Sequence, residues 1–280
     1  MRKTVLPEPG LARTVRGSGP GLVLSHGANG SIERQFGPIL DGLAADHTVV
    51  GVDLPGSGAT PRSETPLDID ELADQLVAAA DAEGLDTFTI AGISLGGPIG
   101  IRAAVRHPDR ITALVLTATF ARPDAKVRLF NSIWRRLYES GDRRVLAEFG
   151  ALMAFSTRTL NTMPSERLQA TIERIAGAFP PGTPEQADLL ERIDVSDDLS
   201  QIEVPTLVVV TIGDWLVPPE TQRCLADRIP GAKSAEIATG HAPFGEDPDE
   251  WLRIITTFLR RNRPQGAEET GRPGFPSRHR

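Results

Sequence analysis

The chain has one cysteine, Cys224, in 280 residues. No internal disulfide can form, which suits a reducing compartment, and a cytoplasmic location is the expectation. Cys224 sits in "ETQRCLADRIPG", a helical pattern of apolar and small residues. A buried cysteine packed as a small hydrophobe is expected there. Long apolar runs are also missing, and crossing a bilayer takes about 20 residues. Arg2 and Lys3 are followed by two prolines and a glycine, so no secretory signal or membrane partner is expected. Basic residues are not in excess: 30 Lys and Arg face 37 Asp and Glu, a net charge of −7. A nucleic-acid partner, which needs a concentrated basic surface, is not expected. No His/Cys/Asp spacing fits a metal site, and no phosphate loop ending in Lys-Ser/Thr occurs. No metal and no cofactor are expected. No repeat of a fixed period is visible.

What is present is alternation. Continuous apolar runs occur at 21–26, 47–54, 87–93, 111–120 and 205–213, with a weaker one at 232–238. They do not alternate apolar with polar, as strands of a parallel sheet buried on both faces need not. Between them lie amphipathic stretches at 68–84, 95–108, 219–231 and 248–261. The first has acids in its opening turn and Gly84 at its end. Strands alternating with helices predict an α/β fold with a mostly parallel sheet flanked by helices.

Residues 121–204 interrupt this order with helical patterns and no convincing strand. They are expected to form a helical cap on a core built from 1–120 and 205–262. Residues 263–280, rich in proline, glycine and charge, are expected to be a disordered tail.

"AGISLGGP" places Ser94 between Gly92 and Gly96, after a strand and before a helix. By itself the pattern fits a glycine-rich turn equally well. In the strand–turn–helix setting it fits an exposed nucleophile, with small flanking residues letting strand and helix approach. The helix N-terminus would then offer the N–H of Leu95 to a developing oxyanion. Serine needs a base. His47 and His107 flank strands and suit surface or capping roles; His279 is in the tail. His26 ends a strand in "SHGANG" and suits the oxyanion loop. His241, between the last strand and the last helix, can reach back to Ser94. Asp214 directly follows a strand and is the matching acid. Asp124 is the other candidate, with a helix N-cap as its ordinary reading.

These stretches together resemble the α/β-hydrolase superfamily over roughly residues 11–262: "SHGANG", "DLPGSGAT", "GISLGG", "GDWLVPP" and "GHAPFGEDP". The resemblance implies an α/β-hydrolase fold with the helical cap inserted after the sixth strand. It implies Ser94, Asp214 and His241 as a catalytic triad and the Ala28 N–H as a second oxyanion donor. Asp53, Glu246 and Pro248 match the family's structural positions. Thr211 stands where the family usually has glycine. A serine nucleophile sets the chain apart from dehalogenases and epoxide hydrolases, which use a carboxylate there. The segment before the nucleophile and the C-terminal pattern look most like small-ester and enol-lactone hydrolases.

The implied function is a serine hydrolase of a carboxylic ester, thioester or lactone. A lyase, cyclase or biosynthetic thioesterase on the same residues stays open, as does a non-catalytic receptor. Homodimer formation is open too. Trp134, Tyr138 and Phe155 are expected to line the substrate pocket. Arg128, Arg135, Arg136, Arg143 and Arg144 suit a solvated helix face, with a carboxylate clamp as the alternative.

Overall fold

The computed structural model describes residues 11–262. Seven strands form one sheet: β1 (Arg13–Arg16), β2 (Gly21–Ser25), β3 (Thr48–Val52), β4 (Phe88–Ile93), β5 (Ile111–Thr117), β6 (Thr206–Thr211) and β7 (Lys233–Ile237). Their spatial order is β1-β3-β2-β4-β5-β6-β7. Only β1 runs antiparallel, against β3; every other pairing is parallel.

Every residue of β2, β4 and β6 is buried, as continuous apolar runs require. The sequence pattern misses β1. It is four residues long, reads RTVR, and lies at the sheet edge. Its Arg13 is buried, and Glu83 accepts its Nε–H at 2.7 Å.

Among the described residues, twelve α-helices accompany the strands. Helices α1 (Ile32–Gln35), α2 (Gly37–Ala44), α3 (Ile69–Asp81) and α4 (Gly96–Arg106) lie before or between the first five strands. Between β5 and β6 come α5 (Ala125–Ser140), α6 (Arg143–Ala154), α7 (Thr157–Thr162), α8 (Ser165–Ala176) and α9 (Thr183–Arg192). The chain closes with α10 (Pro219–Arg228), α11 (Pro243–Glu246) and α12 (Pro248–Arg261). Asp68 caps α3 by accepting from the N–H groups of Asp70 and Glu71, at 2.8 and 3.2 Å.

Two apolar layers sandwich the sheet. One joins it to α3, α4 and α10 through Leu76, Ile99 and Leu225; the other joins it to α2 and α12 through Leu40, Ile255 and Phe258. Each fully buried Leu, Ile or Val in these layers stabilises the fold by roughly 1.5–3 kcal/mol. A third, smaller cluster holds Ala147, Ala151, Phe155 and Ile172 of the inserted helices against Ala242.

Some sequence expectations need revising. The inserted helices follow the fifth strand among the described residues, where the expected count was six. Cys224 is exposed, not buried. The inward face of α10 carries Gln222, Leu225 and Ala226, with Ile229 just beyond it, and Cys224 falls between these positions. His47, expected at the surface, is buried. The expected tail at 263–280 lies outside the described residues. No helix among the described residues is long and apolar enough to cross a membrane.

Candidate active site

Strand order reverses between β2 and β4: β3 lies beyond β2 on one side, and β5 beyond β4 on the other. In an open parallel sheet such a reversal leaves a crevice at the carboxyl ends of the strands. The loop after β2 and the turn after β4 meet there. A Cβ on Gly27 would stand 2.9 Å from Ser94 Cβ, so only glycine permits this approach.

Ser94 sits at that turn with φ 52°, a left-handed conformation that costs a non-glycine residue energy. Neighbouring contacts enforce it. Its N–H donates to Thr117 O at 3.0 Å, and its carbonyl accepts from Thr119 Oγ1 at 2.6 Å. A Cβ on Gly92 would overlap the Gly96 carbonyl, and one on Gly96 would overlap the Ser25 carbonyl. The glycines therefore let strand, turn and helix cross at van der Waals distance.

Asp214 and His241 arrive from the loops after β6 and β7, two strands whose Thr211 and Ile237 are register partners. His241 Nε2 lies 3.0 Å from Ser94 Oγ, and His241 Nδ1 lies 2.8 Å from Asp214 Oδ2. A carboxylate can only accept, so Nδ1 carries the proton and Nε2 is free to accept from the serine hydroxyl.

Asp214 is buried at 4% exposure. Its Oδ1 accepts from the N–H groups of Leu216 and Val217 at 2.8 and 2.9 Å. Its Oδ2 accepts from Thr211 Oγ1 at 2.9 Å and Gln222 Nε2 at 3.3 Å. Thr211, at the position the family usually gives to glycine, is thus a donor to the acid. Asp124 is elsewhere: it caps α5 through the Val127 N–H at 2.9 Å and accepts from Thr221 Oγ1 at 3.0 Å.

His26 is fully buried. Its Nε2 accepts the Leu54 N–H at 2.9 Å, and its Nδ1 faces the Gly27 carbonyl at 2.7 Å. That pairing fixes the neutral tautomer with the proton on Nδ1. Burial, above all, holds its pKa below the usual histidine value. It shapes the loop and stands apart from the Ser94–His241 pair. The same loop holds Ala28 between two anchored neighbours. Gly27 donates its N–H to Gln35 Oε1 at 2.7 Å, and Asn29 donates its own to Gln186 Oε1 at 2.8 Å. Leu95 opens the turn into α4, next to Ser94.

Glu246 ties the His241 loop to the inserted helices. Its Oε1 accepts from the N–H groups of Gly240 and Ser156, at 2.7 and 3.1 Å. Its Oε2 accepts from the hydroxyls of Ser156 and Thr159, both at 2.5 Å.

Above Ser94 lies a cavity of about 390 Å³. Its walls are chiefly apolar, with Phe120, Trp134, Phe155 and Phe179 among them. Trp134 and Phe155, expected from the sequence at the substrate pocket, both line this cavity. Tyr138 does not line the cavity: one turn further along α5, its ring lies under the Arg143 guanidinium at 4.1 Å. Glu246 was read from the sequence as a structural position, and sequence reasoning missed Gln186, Gln222 and Gln35. Each is an isolated amide in a helix, with no motif to mark it. No group of three or more His, Cys, Asp or Glu suited to a metal ion occurs among the described residues.

Comparison with known proteins bears on this geometry. The chain is 32% identical over 261 residues to the pyrrolizixenacetamide deacetylase of Xenorhabdus hominickii, covering 92% of this chain and 98% of that protein. It is 31% identical to the pimeloyl-[acyl-carrier protein] methyl ester esterase of Neisseria meningitidis serogroup B / serotype 15, covering 85% and 91%. The enol-lactonase of Burkholderia xenovorans LB400 superposes with a TM-score of 0.78 at 23% identity, covering 89% and 96%, a likeness of fold alone. The family model for the alpha/beta hydrolase fold matches residues 20–248. With that match over most of its length, the chain belongs to the α/β-hydrolase fold family.

Proposed function

We propose that the protein is a serine hydrolase that cleaves a small to medium carboxylic ester, thioester or lactone through an acyl-enzyme on Ser94. The observation that carries this reading is the hydrogen-bonded chain from Ser94 Oγ through His241 to Asp214 at the floor of an apolar cavity.

In the first half-reaction, His241 Nε2 takes the Ser94 hydroxyl proton as Oγ attacks the substrate carbonyl carbon. The carbonyl oxygen becomes an oxyanion, held by the N–H groups of Leu95 and Ala28. The intermediate collapses, the bond to the leaving group breaks, and His241 passes its proton to that group. In the second half, water attacks the acyl carbon and gives its proton to His241. The second intermediate releases the acid, and Ser94 regains its proton. Asp214 holds the imidazole in register and stabilises its charged form. Helices α5–α9 act as the cap, excluding bulk water and shaping the cavity.

A second reading keeps the residues and changes the bond. The 32% identity to a deacetylase favours an N-acyl amide as substrate. The same proton path then serves an amine leaving group.

Labelling with a fluorophosphonate and turnover of a p-nitrophenyl acyl series test the proposal. Wild type is expected to label and turn over, and Ser94→Ala to do neither. Equal activity in the two proteins defeats it. Comparison of p-nitrophenyl acetate with p-nitroacetanilide separates the two readings.

A further inference from the structure

Three of the arginines expected on the inserted helices are engaged outside the cavity. Arg135 pairs with Glu191 at 3.6 Å, Arg144 with Glu148 at 3.0 Å, and Arg143 covers Tyr138. None of them lines the cavity. Two others do: Arg34 in α1 and Arg174 in the last turn of α8. Among the described residues, the titratable groups on the cavity wall are these two arginines and His241; no aspartate or glutamate lines it.

Arg34 is held in place by the fold. Its Nη1 donates to the carbonyls of Asn29 at 3.2 Å and Ala178 at 2.8 Å. Its Nε and Nη2 are not used in these bonds. Burial, then the charge of Arg174, lower its pKa below the usual guanidinium value. The two cations share the cavity lining, and the charge of one acts on the other. Among the described residues neither has an ion pair with a carboxylate. Such an arrangement in a chain of net charge −7 runs against the general field of the protein. Arg34 is half-buried and Arg174 exposed, and a half-buried guanidinium without a carboxylate partner is stabilised when an anion joins it. Their planar fork matches the two oxygens of a carboxylate.

We propose that the cavity selects a substrate carrying a carboxylate apart from the cleaved bond, and that Arg34 and Arg174 bind that carboxylate. This rests on the reading of Ser94 as nucleophile, which places the cleaved bond at Ser94 and leaves the two arginines for another group of the substrate. The apolar wall takes the rest of the substrate. The substrate class is a hemiester, or half-amide, of a dicarboxylic acid, or an ester whose leaving group bears the carboxylate. A phosphate offers the same oxygens to the fork, so the experiment includes one.

The test compares matched esters. The mono-p-nitrophenyl ester of adipic acid is set against p-nitrophenyl hexanoate. The 4-carboxyphenyl ester of butanoic acid is set against phenyl butanoate, and the 4-phosphonooxyphenyl ester serves as the phosphate arm. At least one carboxylate ester is expected to exceed its neutral partner about tenfold in kcat/KM, a ratio of the size a charged hydrogen-bonded contact confers. Arg174→Gln, at a side chain that makes no hydrogen bond among the described residues, is expected to lower that ratio about fivefold or more, mainly through KM. Arg174→Lys is expected to retain part of it. A wild-type ratio near one in both carboxylate pairs overturns the inference. So does a ratio indifferent to Arg174→Gln, or a preference confined to the phosphate. Fluorophosphonate labelling of the wild type keeps the two failures apart. Labelling with a ratio of one overturns the carboxylate site alone; absence of labelling overturns the nucleophile itself.

Discussion

Gln186 accepts the Asn29 N–H at 2.8 Å, across 157 residues of chain. Gln186 is fully buried in α9, and its Nε2 donates to Pro55 O at 3.0 Å and Ser57 Oγ at 2.9 Å. One amide thus joins an inserted helix to the loop carrying Ala28. Asn29 has φ 59°, a conformation that depends on such anchoring. Gln186→Leu leaves the Asn29 N–H and the Pro55 carbonyl without this partner. A loss of about 1–3 kcal/mol in stability is expected, read by urea unfolding. If the loop also supplies an oxyanion donor, kcat falls about 10- to 100-fold with a smaller change in KM. An unchanged kcat separates Gln186 from the reaction.

Asp214→Asn tests the acid. The carboxylate accepts from five donors, and an amide can accept at only one of its two heavy atoms. His241 would be driven toward the tautomer with the proton on Nε2, unable to accept from Ser94. A fall in kcat of about 10⁴-fold is expected, in line with the same change in other enzymes of this chemistry. Ester turnover within a few-fold of wild type would remove Asp214 from the mechanism.

Gly92→Ala tests the turn. The added methyl meets backbone, the Gly96 carbonyl, and cannot be relieved by a side-chain rotation. The turn must move, and Ser94 with it. Both stability, by roughly 1–3 kcal/mol or more, and fluorophosphonate labelling are expected to fall. Normal labelling at wild-type stability would show that the crossing is looser than the structure has it.

The acid response of stability has a separable contribution from His26. Its folded pKa lies below 6.5, chiefly because burial disfavours the charged ring. The unfolded chain therefore takes up a proton near pH 6.5, and the folded chain only at lower pH. Stability from this group is complete above pH 6.5 and declines as pH falls toward the folded value. Asp74 acts in a lower window. Arg106 and His107 hold its pKa at about 2, so its contribution is lost only as pH falls from about 4 toward 2. Unfolding free energy measured from pH 7.5 to 4.5 is expected to slope downward in wild type and more weakly in His26→Gln. Equal slopes would assign the acid sensitivity to other groups.

Much of the core was readable because its signals are local. Buried central strands β2 to β6 appear as apolar runs, and α3 as an amphipathic stretch with acids at its start and glycine after its end. The short edge strand β1 has too few residues to show a period, and arginines at both ends disguise it. Cys224 was misplaced because its neighbours Leu225 and Ile229 suggested burial, while a 100° step per residue turns it outward. Tyr138 was misplaced because sequence spacing cannot show that Arg143 covers its ring.

The sequence alone determined the alternation of strands and helices, the sharp turn at Ser94 and the loops bearing Asp214 and His241. Side-chain periodicity and the steric needs of glycine write these into short stretches of chain. Only the tertiary structure decided the rest. It brought Ser94 within 3.0 Å of His241, hung Asn29 on Gln186, and put Arg34 and Arg174 on one cavity wall. Those contacts join residues roughly 140 or more positions apart. They depend on how sheet and inserted helices pack, and no local pattern specifies that.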